Sequence, residues 1–318
     1  MIITDTLIGS GAVEMAEVDA ATYRRLFPRP AVVYNSVEFT SLVAPMVTEV
    51  KRVAIMAGGK ARLGLTIGVR ADGTMAAPFS APFACFDAND NPGASMMLSA
   101  VAAMRRCYPG LRVTLPPPIY SPSVTAKTLL AMMQQGCSLA WTDWNYHLPL
   151  TSERGGYERL LCTGRRTILR RASRDHFHLE TVDDDPLRAY NIVEAHHAAK
   201  GYPMRMSARQ ILDTTGVDGP VDAHFFVLTD GSRDAAAAIV YDTTPDIAQV
   251  IYWADNPSAG AFAPMNLLCA RLHDHYAARG FKILDIGPSS SEGVAATGLC
   301  DFKERVGCVP TAKPTIIL

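Results

Sequence analysis

Lys282-Ile-Leu-Asp-Ile-Gly-Pro-Ser-Ser-Ser-Glu-Gly293, followed closely by Gly298-Leu-Cys-Asp-Phe-Lys-Glu-Arg-Val-Gly307, is the stretch that decides the fold. Residues 282–286 are an apolar run interrupted by Asp285, the pattern of a buried strand. Gly287, Pro288 and the serines then turn the chain. Upstream, residues 264–280 carry Leu267, Leu268, Leu272 and Tyr276 at helical spacing. Pro264 suits the first turn of that helix and Gly280 its end. Further upstream, apolar runs at 224–228, 235–241 and 247–254 are separated by Asp230-Gly231 and Thr244-Pro245-Asp246, which reads as a meander. Helices are predicted over 186–199 and 208–215. Helices, a meander, a helix and a further strand make an α/β (α+β) order with a mixed, mostly antiparallel sheet flanked by helices.

The first half repeats that order. A helix is predicted over 36–48, capped by Asn35 or Ser36. Runs at 50–56 and 62–69 flank Ala57-Gly58-Gly59-Lys60, a hairpin signal. Asp72-Gly73 leads into Met75-Ala-Ala-Pro-Phe79, and a helix follows over 93–107. A strand at 111–115 ends at Pro116-Pro117-Pro118, a helix covers 125–135, and a strand covers 138–143. Residues 151–158 turn polar and Gly-rich before an arginine-rich helix at 160–174. The reading is two domains, 1–158 and 159–318.

Three segments resemble the Fem-type branch of the GNAT (acyl-CoA N-acyltransferase fold) superfamily. Thr163-Gly-Arg-Arg-Thr-Ile-Leu-Arg-Arg-Ala-Ser-Arg174 is similar to the family's basic joining helix. Lys282-Ile-Leu-Asp-Ile-Gly-Pro-Ser289 is similar to its strand ending in Asp-x-Gly-x-Ser, and Gly298 to Gly307 to its stretch around Phe-Lys-Glu. The segment 78–86 also resembles a loop of tandem-GNAT relatives. The resemblance implies two GNAT-like domains in tandem. The first would be degenerate and lie on the acceptor side, with Glu38 at the acceptor cleft; the second would carry the transfer site. It also implies two donors, acyl-CoA or aminoacyl-tRNA. A Gly-rich pyrophosphate loop is usual before the long helix of acetyl-CoA-dependent members, but residues 259–264 here hold one glycine.

Composition narrows the rest. The chain has 318 residues, 48% of them apolar, and a formal net charge of −1, so no general attraction to nucleic acid or anionic membrane follows. Seven cysteines, an odd number without CxxC spacing, argue against a disulfide framework and for a reducing cytoplasm. No stretch approaches the ~20 apolar residues that span a bilayer, and residues 1–13 do not read as a signal peptide. His196-His197 and His273-x-His275 lack the spacing that puts two ligands on one helix face, so no metal is expected.

The candidate residues follow. The resemblance puts Lys303 at the reaction centre, where a cation would stabilise an oxyanion; otherwise it is a surface lysine paired with Glu304. Phe302 and Glu304 flank it. Asp285, at the end of a buried strand, either orients or deprotonates an acceptor amine or bonds the amides of the next loop. Ser289 and Ser290 bind an acceptor or a phosphate, or simply form the turn. Tyr252 lines a donor cleft or packs the core. Arg165, Arg166, Arg170 and Arg171 either grip phosphate or form a solvated face partnered by Asp183, Asp184 and Asp185. The expected function is transfer of an acyl group from acyl-CoA to an amine of a small molecule or envelope-polysaccharide precursor. The alternatives are aminoacyl transfer from tRNA and a non-catalytic ligand-binding protein.

Overall fold

The computed structural model describes residues 2–7, 12–153 and 155–318, which divide into two compact units. Unit 1 is residues 1–143, 291–294 and 311–318; unit 2 is residues 144–290 and 295–310. The division falls at 143/144, within a strand, where the sequence placed it near 158. The polar stretch after residue 150 therefore lies inside unit 2.

Unit 1 opens with β1 (Ile2–Leu7), β2 (Ala12–Val18), α1 (Ala20–Leu26) and α2 (Val37–Leu42). Ser36 caps α2, its Oγ accepting from the Phe39 amide at 3.1 Å. The helix is shorter than predicted and yields to a 3-10 turn at Ala44–Met46. Then come β3 (Glu49–Ala57), β4 (Lys60–Val69), β5 (Met75–Ala77), β6 (Asp87–Ala88), α3 (Ala94–Cys107), β7 (Arg112–Thr114) and α4 (Pro122–Gln134). Met97, Val101 and Met104 of α3 pack with Ile55, Leu65 and Val113 of the sheet.

The next strand, β8 (Ser138–Pro149), runs out of unit 1 and supplies residues 144–149 to unit 2. Unit 2 continues with α5 (Gly156–Leu160), α6 (Thr163–Ala172), β9 (His178–Thr181), α7 (Pro186–Lys200), α8 (Ala208–Thr215), β10 (Ala223–Thr229), β11 (Asp234–Thr244), β12 (Ile247–Asp255), α9 (Pro264–Ala278) and β13 (Ile283–Pro288). A short hairpin, β14 (Ser290–Ser291) and β15 (Val294–Ala295), precedes α10 (Thr297–Arg305) and β16 (Val309–Ile317). The last residues of β16 belong to unit 1, where Ile316 pairs with Val113 of β7.

In unit 2 the strands lie in the order β8-β13-β12-β11-β10-β9, antiparallel except for β12–β13. A parallel pair needs a crossover, and α9 is that crossover. Its Leu267, Leu268, Leu272 and Tyr276 are buried against the sheet, worth roughly 1.5–3 kcal/mol each. α7 covers the opposite face over β10, β11 and β12. α8 starts with a full capping box between Ser207 and Gln210. The mixed, mostly antiparallel sheet flanked by helices matches the expected fold class.

Candidate functional site in the second unit

The site begins where the parallel pair ends. β12 and β13 are paired at Ile247–Ile283, Ala248–Leu284 and Gln249–Asp285, and no further. Beyond that point β12 stays paired to β11 as far as Asp255, and β13 stays paired to β8 as far as Pro288. The two strands therefore part, leaving a V whose apex is Gln249 and Asp285. Each arm carries an irregularity. On β12 the register slips between Val250 and Tyr252; on β13 it slips between Asp285 and Gly287. Gly287 has φ +76°, which only glycine adopts without strain. Among the described residues, the inner edge of β12 beyond Gln249 is a row of backbone groups with no neighbouring strand.

A polar row crosses the sheet at the apex. Tyr241 pairs with Gln249, Gln249 with Asp285 and Asp285 with His147. Side chains at paired positions share a face, so these four line up over β11, β12, β13 and β8. Asn145, two residues from His147, shares that face. Asn145 Nδ2 donates to Asp285 Oδ1 at 2.8 Å, Gln249 Nε2 to Oδ2 at 2.7 Å, and the Gly287 amide to Oδ1 at 3.0 Å. Asp285 is 0% exposed. Two atoms in this row lack a hydrogen-bond partner, the Tyr241 hydroxyl and His147 Nδ1. Burial raises the Tyr241 pKa and lowers that of His147; the Asp285 charge and the Val309 backbone pull His147 the other way. The sequence reading missed Gln249, Asn145 and His147, because their signal is strand register and not local spacing.

Lys303 departs from its expected role. It is 2% exposed, and its Nζ donates to the carbonyls of Ile286 (3.2 Å), Gly287 (2.9 Å) and Pro288 (3.1 Å). An ammonium has three donors, and three carbonyls occupy them. Lys303 therefore clamps the end of β13 and has no N–H free for an oxyanion. It is not a surface lysine paired with Glu304 either: Glu304 is exposed and accepts from the Tyr146 hydroxyl at 2.8 Å. Asp285 is likewise corrected as a proton acceptor, since both its oxygens are engaged and it is sealed; it holds the apex together.

The remaining candidates fall in separate places. Ser289 is buried, its amide bonded to the Trp144 carbonyl at 2.7 Å and its hydroxyl without a partner; Ser290 Oγ accepts from the Trp144 amide at 2.8 Å. Both tie the strand end to β8. The rings of Trp253 and Phe302 meet edge-on at 6.0 Å. Tyr252 faces α7, its ring 5.7 Å from that of His197 and its hydroxyl accepting from the Met206 amide at 3.1 Å. Glu38 lies in unit 1 on an exposed turn of α2, paired with Arg24 at 2.7 Å.

The arginines lie on α6. Leu169 and Ala172 are buried, and Arg165 lies half-buried toward that side. Arg166 is half-buried as well, Arg170 and Arg171 are exposed, and Arg174 follows, exposed, in the 3-10 turn Ser173–Asp175. Of these, Arg170 pairs with Glu158 at 3.1 Å; among the described residues, no carboxylate pairs with the other three. Asp183 is taken by His224 at 2.7 Å and by the Phe225 amide, so it does not neutralise them. Arg171 lies 4.0 Å over the ring of Phe262, in the turn that enters α9. Pro264 brings no amide to the first turn of α9, and the Asn266 and Leu267 amides donate to the Ala263 carbonyl at 3.1 and 3.4 Å; the positive end of the helix faces that turn. The Phe262 amide itself donates to Asp175 at 3.4 Å.

No protein-family model matches the chain, and no curated protein matches it. Solved structures do. FemX superposes with a TM-score of 0.68 at 10% identity over 96% of this chain and 97% of that one. The C-terminal (DUF2156) domain of a putative lysylphosphatidylglycerol synthetase from Agrobacterium fabrum gives 0.55 at 14% identity over 80% of each chain. L-PGS from Bacillus licheniformis gives 0.54 at 10% identity over 81% of each. At these identities the likeness is one of fold, and the fold is that of FemX. Among the described residues no helix is long and apolar enough to cross a membrane, and no group of three or more ligating side chains could hold a metal ion.

Proposed function

We propose that unit 2 is an acyltransferase that passes an acyl group from acyl-CoA to the amine of a small molecule or envelope-polysaccharide precursor. The observation that carries the reading is the V between β12 and β13, with a polar row at its apex. An extended donor arm fits along the unpaired inner edge of β12 and brings its carbonyl to the apex. Backbone amides there would hold the developing oxyanion, an arrangement worth about 3–4 kcal/mol per donor. Holding amine and carbonyl together supplies up to ~7–11 kcal/mol more. The donor's phosphates have a place at the turn entering α9, beside Arg171. The amine attacks directly, with no covalent enzyme intermediate.

A second reading, aminoacyl transfer from tRNA, is favoured by α6. Arg166 and Arg171 of the helix and Arg174 just after it, which no carboxylate pairs among the described residues, present more charge than one pyrophosphate requires. One fold relative is a putative lysylphosphatidylglycerol synthetase, whose named product carries a lysyl group. In this reading unit 1 remains the degenerate, acceptor-side half.

Ligand that binds only the native state raises the melting temperature. Thermal shifts against acetyl-CoA, longer acyl-CoAs and charged tRNA therefore separate the donors. A shift with a CoA ester, and transfer to an amine, is the expected result. No shift with any CoA, together with tRNA binding whose salt slope falls by about two in an Arg166/Arg171/Arg174→Ala variant, overturns acyl-CoA in favour of tRNA. Binding without turnover for any donor leaves a non-catalytic ligand-binding protein.

A further inference from the structure

We infer that the donor's arm is admitted to the V by parting the rings of Trp253 and Phe302, which meet from its two sides and then hold the arm between them. The inference rests on the acyltransfer reading and names the residues that position the donor arm in it.

One ring belongs to each arm of the V. Trp253 stands on β12 beyond the apex residue Gln249, at a position paired with Ala238 of β11 and not with β13. Phe302 stands on α10, and α10 is fixed to the other arm, because the next residue, Lys303, donates to the carbonyls of Ile286, Gly287 and Pro288. Successive residues of a helix point about 100° apart. With Lys303 turned to β13, Phe302 and Glu304 therefore leave it on opposite sides. Glu304 goes to β8, where it accepts from the Tyr146 hydroxyl at 2.8 Å. Phe302 goes to β12, where its ring meets that of Trp253 at 6.0 Å and 64°. Both residues are only half-buried, so both are within reach of a ligand.

The arm cannot pass while the rings touch. In the acyltransfer reading it runs along the inner edge of β12 from the turn entering α9 to the apex, and Trp253 lies between the two. A chain inserted between two rings makes a van der Waals contact of ~3.5–4.0 Å with each, so the rings must stand about 7–8 Å apart. At 6.0 Å between centroids, edge-on, they fill that space with their own contact. Trp253 is held by a strand paired to β11 and α10 by the Lys303 clamp, so the Phe302 side chain is the part that turns. Once parted, the two rings flank the arm and keep it extended toward Gln249 and Asp285. The aromatic contact that must first be broken slows entry by roughly two- to tenfold.

The test follows acetyl-CoA, a longer acyl-CoA and charged tRNA binding to the full chain by stopped flow. In a Trp141→Phe/Trp144→Phe background Trp253 is the one tryptophan left, so its emission reports on the ring pair. Expected is a change in that emission when the donor binds. In Phe302→Ala the association rate should be about two- to tenfold higher, with faster dissociation because one wall of the clamp is gone. Two results overturn the gate and leave the transferase reading standing, each for a donor that still raises the melting temperature. One is unchanged Trp253 emission; the other is an association rate in Phe302→Ala within about twofold of wild type or below it. No thermal shift with any of the three donors overturns the transferase reading, and the gate with it. Should the phenylalanine background fail to fold, the association rate of Phe302→Ala, read by surface plasmon resonance, decides alone; should Phe302→Ala fail to fold, the emission of Trp253 does.

Discussion

The two units carry the same strand order and put it to different ends. In unit 2, β11 pairs antiparallel with β12, α9 crosses over, and β13 returns parallel to β12. In unit 1, β4 pairs antiparallel with β5, α3 crosses over, and β7 returns parallel to β5. Yet β12 has nine residues and outruns its parallel partner, while β5 has three and stops at Ala77, before a proline that cannot continue a ladder. Only unit 2 therefore opens a V. Across the parallel pair of unit 1 the paired row is Gly68, Ala76, Arg112 and Ile317; in unit 2 it is Tyr241, Gln249, Asp285 and His147. Unit 1 has its own sealed carboxylate, Asp87, held by the Tyr23 hydroxyl (2.8 Å), the Ala31 amide (2.8 Å) and Asn35 Nδ2 (2.9 Å). It closes a loop over α1 and does not line an opening. Strand length at the parallel pair, more than the fold, separates a candidate site from a core.

The largest effect is expected of Lys303→Ala. If Lys303 clamps β13, its removal takes the donor from two buried carbonyls and one half-buried one, at roughly 1–3 kcal/mol for each buried carbonyl. Urea unfolding should show at least ~2 kcal/mol lost, with transfer falling in step as β13 loosens. A variant as stable as wild type but unable to transfer would return Lys303 to the oxyanion.

In unit 1 the buried acid is Asp87. Burial pushes its carboxyl from the ordinary 3.8 up to about 6, against the hydrogen bonds that lower it. The folded state thus binds this proton more tightly than the unfolded state. Its contribution is fully present below pH 3.8 and is lost as pH rises through about 6. The loss is about 3 kcal/mol at 1.36 kcal/mol per pKa unit. Hydrogen exchange of the β3 and β4 amides at pH 4.5 and 7 should show that slope in wild type and a flatter one in Asp87→Asn. Equal slopes would mean that Asp87 is not the buried acid of unit 1.

Much of this was legible in the sequence. The helices at 186–199, 208–215 and 264–280 and the meander between them came from periodicity and turn residues, and the structure differs only at their ends. The final helix and strand, α10 and β16, were not read as elements, although Phe302, Lys303 and Glu304 were singled out. Motif resemblance located Lys303 and Asp285, but not what they touch. That depends on which carbonyls converge on an ammonium and which strand lies beside β13. The partner of β13 is β8, some 140 residues earlier in the chain, so no local pattern announces the pairing of His147 with Asp285. The arginine helix was legible as a cluster; its partners were not, since Asp183 pairs with His224 and Arg170 with Glu158, pairings that no local pattern announces.

The smallest effect belongs to Glu38, and it tests whether unit 1 touches the substrate at all. The resemblance placed Glu38 at an acceptor cleft, but its side chain is 53% exposed and its partner Arg24 is 56% exposed. An exposed pair of this kind contributes about 0–1 kcal/mol, less in salt. Glu38→Gln keeps the size and removes the charge. The melting midpoint should move by no more than that, and kcat and KM for the amine should stay within twofold of wild type. A tenfold rise in acceptor KM with kcat unchanged would mean that Glu38 binds substrate equally in ground and transition states. The contrast between a unit that opens a V and one that does not would then weaken, because the shorter β5 would still serve a substrate-binding half.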